Sequence, residues 1–181
     1  ILSFNGEIYN HLALREQLKG NGLSINWRGH SDTETLLTCF SVWGIEKTLQ
    51  STVGMFSMAL WDKENEVLTL ARDRLGEKPL YWGWNNDTLL FGSELKALKA
   101  FPEFDVQVDR NALALLLKYN YIPAPHSIYQ GIEKLKAGHY VQIGQGESRV
   151  DVKPLPFWSF KQAVEQGGIS NVGRLQLVKT E

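Results

Sequence analysis

Phe4-Asn5-Gly6-Glu7-Ile8-Tyr9-Asn10 is the stretch on which the reading of this chain turns. A short apolar strand runs into an Asn-Gly pair and an acid before a helix begins. Two structures answer to those residues. Asn-Gly between Ser3-Phe4 and Glu7-Ile8 is the signature of a type I′ hairpin turn. The same pair can instead aim an amide N–H from the Asn5 side chain and the unhindered backbone N–H of Gly6 at an oxygen gathering negative charge, as an oxyanion hole requires. Glu7 next to it offers an acceptor for a cation.

Upstream, Ile1-Leu2-Ser3-Phe4 is strand-like, with neither an initiator Met nor a preceding turn, which leads us to expect a fragment that begins inside a sheet. Downstream, Asn10 is placed as the N-cap of a helix through about Lys19, with Leu14 and Leu18 on one face and Gly20 and Gly22 as stop signals. His11 has no partner at metal-like or triad spacing and is expected at the surface. Ile25-Asn26-Trp27 is a candidate short strand. Ser31 and Glu34 form the S-x-x-E capping box of a second helix, which carries Leu36, Leu37, Phe40 and Trp43 on a helical period and ends at Gly44. Asp32, at its first turn, complements the helix dipole, and a carboxylate held there can also take a substrate ammonium. Cys39 lies mid-helix among apolar residues, where a small buried hydrophobe is expected rather than a nucleophile.

After a short helical piece from Ile45 to Ser51 the period changes. Gly54 to Trp61 is apolar at nearly every position, as a strand covered on both faces must be. Val67 to Arg72, Leu80 to Trp84 and Thr88 to Phe91 follow as strands, with turns at Asp62 to Glu66 and Asn85 to Asp87. This antiparallel meander, flanked by the two early helices, predicts a layered sandwich. The charged loop Ala71 to Leu80 could hold phosphate through Arg72, Arg74 and Lys78. Asp73 and Glu77 bring equal negative charge, however, so internal ion pairing is the expectation. Ser93 is placed as the cap of a short helix through Leu98. Asp109 opens another helix, Tyr119 to Tyr129 is extended, and a last strand is placed around His139 to Ile143. From Lys161, with Gly167-Gly168, the chain reads as linker.

With 181 residues, 43% of them apolar and 22% charged, there is room for one packed domain and a little more. A formal charge of −1, with acids and bases interspersed, shows no basic stripe for nucleic acid. No apolar run approaches the ~18 residues that span a bilayer, so no membrane partner is expected and the cytoplasm is the expected compartment. The single cysteine excludes an internal disulfide and a Cys-rich zinc site, and no metal site is expected.

Several blocks together resemble the glutamine amidotransferase half of asparagine synthetases: FNGEIYNH (Phe4 to His11), SDTETLL (Ser31 to Leu37), GMFSMALWD (Gly54 to Asp62), ARDRLGEKPLYWG (Ala71 to Gly83), FGSELKAL (Phe91 to Leu98) and YIPAPHSIYQGIEKLKAGH (Tyr121 to His139). The resemblance implies an α+β N-terminal nucleophile fold, a class II glutamine amidotransferase built as a four-layer αββα sandwich of antiparallel sheets, here incomplete at the N-terminus. Residues 1–160 would form that domain and 161–181 a linker towards an absent synthetase domain. Asn5 and Gly6 match the family's oxyanion hole. Glu7 and Asp32, with Asn5 and Gly6, match its glutamine-binding residues, the two acids holding the α-ammonium. The parent would hydrolyse L-glutamine to glutamate and ammonia. Its synthetase domain would use ATP and Mg²⁺ to activate and amidate aspartate, with no cofactor in the present domain. A homodimer of the parent is left open.

The chain departs from the pattern in two ways. The family's nucleophilic cysteine and its carboxylate-gripping arginine lie upstream of Ile1, and the Ser-Gly-Gly-x-Asp-Ser loop of the ATP-handling domain is matched only by Gly167-Gly168-Ile169-Ser170, without the Asp-Ser. The chain alone is therefore expected to be inactive. A scaffold domain like that of relatives that close β-lactam rings, or an amidotransferase for another carboxylate, is the alternative. Asn5, Gly6, Glu7 and Asp32 together favour a working site.

Overall fold

The computed structural model describes residues 1–20, 24–147 and 151–171. β1 (Leu2–Ile8) runs straight through the Asn5-Gly6 pair. No hairpin turn forms there, because Gly6 serves a close approach of two backbones instead. A Cβ on Gly6 would stand 2.1 Å from the Met55 carbonyl oxygen and 2.7 Å from the Phe56 Cα. One on Gly54 would stand 2.1 Å from the Glu7 carbonyl oxygen. Only glycine fits at both places.

Two helices follow, α1 (His11–Gly20) and α2 (Asp32–Ser51). Asn10 gives its carbonyl to the first helical turn, but its side chain does not cap α1. It donates to the Ser51 carbonyl and accepts from the Val53 N–H, stitching the end of β1 to the end of α2. The expected break at Gly44 is a kink, with φ of 75°, and the Ile45 to Ser51 piece continues α2 beyond it. Ile25-Asn26-Trp27 is not a strand, because Trp27 lies flat under the Arg15 guanidinium, 4.0 Å from its ring centre. Gly22 lies outside the described residues.

β2 (Gly54–Asp62), β3 (Val67–Arg72), β4 (Tyr81–Asn85) and β5 (Thr88–Gly92) form the expected meander. Then come α3 (Leu95–Lys99), α4 (Arg110–Tyr119), capped by Asp109, β6 (Ile132–Lys134), β7 (His139–Gly144) and β8 (Leu155–Pro156). The strands sort into a five-stranded sheet, β1-β2-β3-β7-β8, and a three-stranded one, β5-β4-β6. Strand alternation divides the core cleanly. Ile8, Phe56, Met58, Ala71 and Tyr140 face α1 and α2, meeting Leu14, Leu18, Leu36 and Leu49. Ala59, Leu70, Val141 and Ile143 face the second sheet and meet Leu80 and Trp82. Gly92, on the other face of that sheet, abuts Leu98 of α3. The layer order is thus helix, sheet, sheet, helix.

The stretch read as linker from Lys161 is helical as far as the structure describes it, in α5 (Phe160–Asn171). Ser159 starts it, its hydroxyl accepting from the Gln162 N–H. Gly167 and Gly168 each cost only about 1 kcal/mol relative to alanine, too little to break it there. Residues 172–181 of the expected linker lie outside the described residues.

The charged loop after β3 is held differently from the expected ion pairing. Buried Asp73 accepts four backbone N–H groups, from Phe56, Leu75, Glu77 and Lys78, at 2.9 to 3.2 Å. Arg72 donates to three carbonyls, of Gly76, Lys78 and Leu135. Side chains bind backbone here because the loop's own peptide groups would otherwise be buried without partners. Replacing Asp73 by Asn removes two charge-assisted acceptor sites, each worth about 1.5 to 3 kcal/mol, so Asp73→Asn should cost about 3 kcal/mol or more. The urea midpoint of the 181-residue chain, at unchanged slope, reads that loss directly.

Candidate active site

The site lies along the edge of β1 turned away from β2, which has no strand beside it among the described residues. The Trp61 N–H reaches the Ile1 carbonyl and the Tyr9 N–H reaches the Val53 carbonyl, so odd-numbered residues of β1 turn their backbone groups to β2. Alternation then turns those of even-numbered residues outward. The N–H of Gly6 accordingly points to the edge, as does that of Ile8. Ile8 there meets the Asp32 carboxylate at 2.9 Å. These two N–H groups stand about 7 Å apart, two residues along a strand. That span is comparable to an extended glutamine from its side-chain carbonyl to its α-ammonium.

Asp32 thus does more than complement the α2 dipole. One oxygen takes the Ile8 N–H and the other the Thr33 N–H at 2.7 Å. The side chain is half-buried; the Thr33 hydroxyl also reaches Oδ1, at 3.3 Å, so the remaining lone pair is on Oδ2. Arg15 on α1 positions the turn that carries it. Its guanidinium donates to the carbonyls of Gly29 and Ser31, at 2.9 and 3.0 Å, and to the Thr35 hydroxyl at 2.7 Å. The capping box is half-formed: Ser31 accepts from the Thr33 N–H, while Glu34 reaches past Ser31 to the N–H groups of Arg28 and Gly29. The Arg28 N–H is the chief reason that the Glu34 carboxyl lies below its ordinary value.

Ser3, Asn5 and Glu7 project from the opposite face of β1 to Leu2, Phe4 and Ile8, which pack towards the helices. Glu7 is exposed. The adjacent Tyr9 phenol, more than half exposed, is raised above its ordinary value by loss of solvent and by the carboxylates of Glu77, Glu7 and Asp73. The acid of the loop tip, Glu77, therefore borders the same end of the sheet as Glu7. Asn5 donates from Nδ2 to the Ser93 hydroxyl at 3.1 Å, and Ser93 stands 3.4 Å from the Ser57 hydroxyl. Ser93 does not cap α3, whose N-cap is Glu94 without a side-chain bond.

The structure thus brings Asn5, Gly6, Glu7 and Asp32 to one edge, and adds Ser57, Ser93 and Arg15, which sequence reasoning missed. The first two serines carry no local signal of a contact reaching 88 positions. Arg15 had one, a charge between Leu14 and Leu18 on the buried face of an amphipathic helix. His11 is partly exposed, with its Nδ1 turned inward and without a hydrogen-bond partner. The phosphate reading of Arg72 meets donors already engaged by carbonyls. Among the described residues no group of three His, Cys, Asp or Glu could hold a metal ion, and no helix is long and apolar enough to cross a membrane.

The glutamine amidotransferase domain family matches residues 1–158. Asparagine synthetase [glutamine-hydrolyzing] 1 of Bacillus subtilis (strain 168) is 37% identical over 140 residues, covering 77% of this chain. The chain spans about a fifth (22%) of that relative's length. Two solved structures share the fold at 19% identity over 87% of the chain. One is of the allosteric regulatory enzyme of purine biosynthesis, with a TM-score of 0.60 and 28% of its chain covered. The other is of glutamine phosphoribosylpyrophosphate amidotransferase from B. subtilis, at 0.56 and 29%. The fold is the α+β N-terminal nucleophile sandwich expected from the sequence.

Cys39, the only cysteine, is fully buried in the helix-facing core, and burial pushes its thiol up to about 11. A thiol with that pKa is about one part in a thousand ionised at pH 8, and it has no path to a reagent. Native protein should take up no iodoacetamide over an hour, as read by intact mass, and one equivalent once unfolded in guanidinium. Labelling of the native chain would place Cys39 outside the core.

Proposed function

The chain belongs to the glutamine amidotransferase domain family, and on that premise we propose that it is the glutamine-binding portion of a glutamine-hydrolysing asparagine synthetase. What supports this best is the edge of β1 turned away from β2, where a backbone N–H at Gly6, a carboxamide at Asn5 and a carboxylate at Glu7 follow one another along the strand and the Asp32 carboxylate meets the Ile8 N–H.

In the parent protein a thiolate outside this chain's residues attacks the side-chain carbon of glutamine, and the electron pair of the C=O bond moves onto oxygen. That oxyanion sits between the Gly6 N–H and the second N–H of the Asn5 carboxamide, donors already in place before the charge develops. Collapse expels ammonia, with its proton drawn from the medium or the attacking group, and water then releases glutamate from the thioester. Glu7 and Asp32 hold the α-ammonium throughout, so they act on ground state and transition state alike. Asp32 can do this because Oδ2, which takes only the Ile8 N–H, keeps a lone pair free.

Cys39 is no substitute nucleophile. It lies under the opposite face of the sheet, among Leu36, Leu49 and Phe56. The 181-residue chain by itself should therefore release no glutamate. The ammonia is assigned to aspartate, activated with ATP and Mg²⁺ in a further domain of the parent.

In the full-length parent, Glu7→Gln or Asp32→Asn removes a charge-assisted hydrogen bond of about 1.5 to 3 kcal/mol, a rise in glutamine KM of roughly ten- to a hundredfold. Synthesis from free ammonia should continue at its original rate. Asp32→Asn also weakens the Ile8 contact, so a parallel loss of ammonia-dependent synthesis in that variant alone would show that Asp32 acts through the fold. Unchanged KM in both variants would remove the ammonium site from these residues.

A further inference from the structure

We infer that Ser93 is a positioning residue which holds the Asn5 carboxamide with its nitrogen, not its oxygen, towards the developing oxyanion. The inference rests on the glutamine hydrolysis proposed above. Asn5 Nδ2 donates to Ser93 Oγ at 3.1 Å, and Ser93 Oγ stands 3.4 Å from Ser57 Oγ. Asn5 and Ser57 face each other directly across β1 and β2, on the side turned to the second sheet. Ser57 is buried, while Ser93 arrives from the end of β5. The hydroxyl of Ser93 has no local duty, because α3 starts at Glu94 without it.

A carboxamide presents two N–H donors at one end and an acceptor at the other, in groups of nearly equal size. Packing alone does not choose between the two orientations. A hydrogen-bond partner does. Either hydroxyl can be the donor between Ser93 and Ser57; with Ser93 taken as that donor, its lone pairs face Asn5 and only the nitrogen end can bond there. One N–H is then engaged by Ser93 and the second is left for the oxyanion, beside the Gly6 N–H. Without the serine hydroxyl the carboxamide is free to turn its oxygen to the same place, where it repels developing negative charge. The oxyanion exists only after attack, so the loss falls on kcat, whereas glutamine binding through Glu7 and Asp32 is left alone.

The test uses the full-length parent with Ser93→Val and Ser93→Thr, side chains of equal size with and without the hydroxyl. Glutamate release, ammonia-dependent synthesis and the thermal midpoint are measured for each. Ser93→Val should lower kcat about ten- to a hundredfold, a smaller loss than removing an oxyanion donor outright, with KM within about threefold. Ser93→Thr should restore kcat to within about threefold of wild type, and neither should alter synthesis from ammonia. Equal losses in the two variants, a raised KM at unchanged kcat, or a parallel fall in ammonia-dependent synthesis would each overturn the inference. If Ser93→Val does not fold, Ser57→Ala takes its place. It should lower kcat several-fold at constant KM, and unchanged kcat would overturn the inference. A wild-type parent that released no glutamate would overturn the proposed function itself, before any variant is compared.

Discussion

Two backbones approach each other between β1 and β2 more closely than any side chain would permit, and the rest of the site follows from that contact. Gly6 and Gly54 are the residues that allow it. With β1 drawn into full register, from Leu2 opposite Leu60 to Ile8 opposite Gly54, alternation decides where every group of the strand points. The Gly6 N–H must face the edge turned away from β2, Asn5 and Glu7 must project between the sheets, and Ile8 must offer its N–H to Asp32. Displacing the register by one residue would exchange all of these directions at once.

The surrounding structure fixes this register from three sides. Asp73 holds Phe56, the residue opposite Gly6, by both backbone groups, accepting its N–H and receiving its carbonyl on the Asp73 N–H. Asn10 ties the far end of β1 to Ser51 and Val53. Arg15, buried between the helices, holds the turn that brings Asp32 to the edge. Each is a polar side chain satisfied by backbone groups, which is how a buried charge or amide is kept without a large penalty. The apolar layers provide the driving force for folding, and these contacts choose the geometry of the edge.

Residues whose role depends on their neighbours along the chain are legible in the sequence. The helices with Leu14, Leu18, Leu36 and Phe40, the doubly covered strand from Gly54 to Trp61 and the burial of Cys39 all follow from period and composition. Asn5-Gly6 is ambiguous at that level because a hairpin turn and a close strand contact both select glycine, and only a partner about 50 positions away separates them. Ser93 misleads for a related reason: serine before a short helix carries the pattern of a cap, and its real partners, Asn5 and Ser57, lie on other strands. The loop after β3 is tied down, as its composition suggests, but by other contacts. Charge balance suggests ion pairs, whereas the peptide groups of a tight turn, which would otherwise be buried without partners, compete better for Arg72 and Asp73. Gly167-Gly168 gives no sign of the helix found there because composition reports propensity, while Ser159 supplies a helix start that propensity alone does not register.

We propose that the edge of β1 turned away from β2 is an oxyanion and ammonium site built before substrate arrives. A structure of the full-length parent inactivated by a diazoketone analogue of glutamine tests it most directly, because the adduct keeps both the carbonyl oxygen and the α-ammonium. The account predicts the adduct oxygen within about 3 Å of both the Gly6 N–H and Asn5 Nδ2, and the ammonium within hydrogen-bond reach of Glu7 and Asp32. An adduct whose oxygen turned away from Gly6, or whose ammonium was held by other residues, would contradict it.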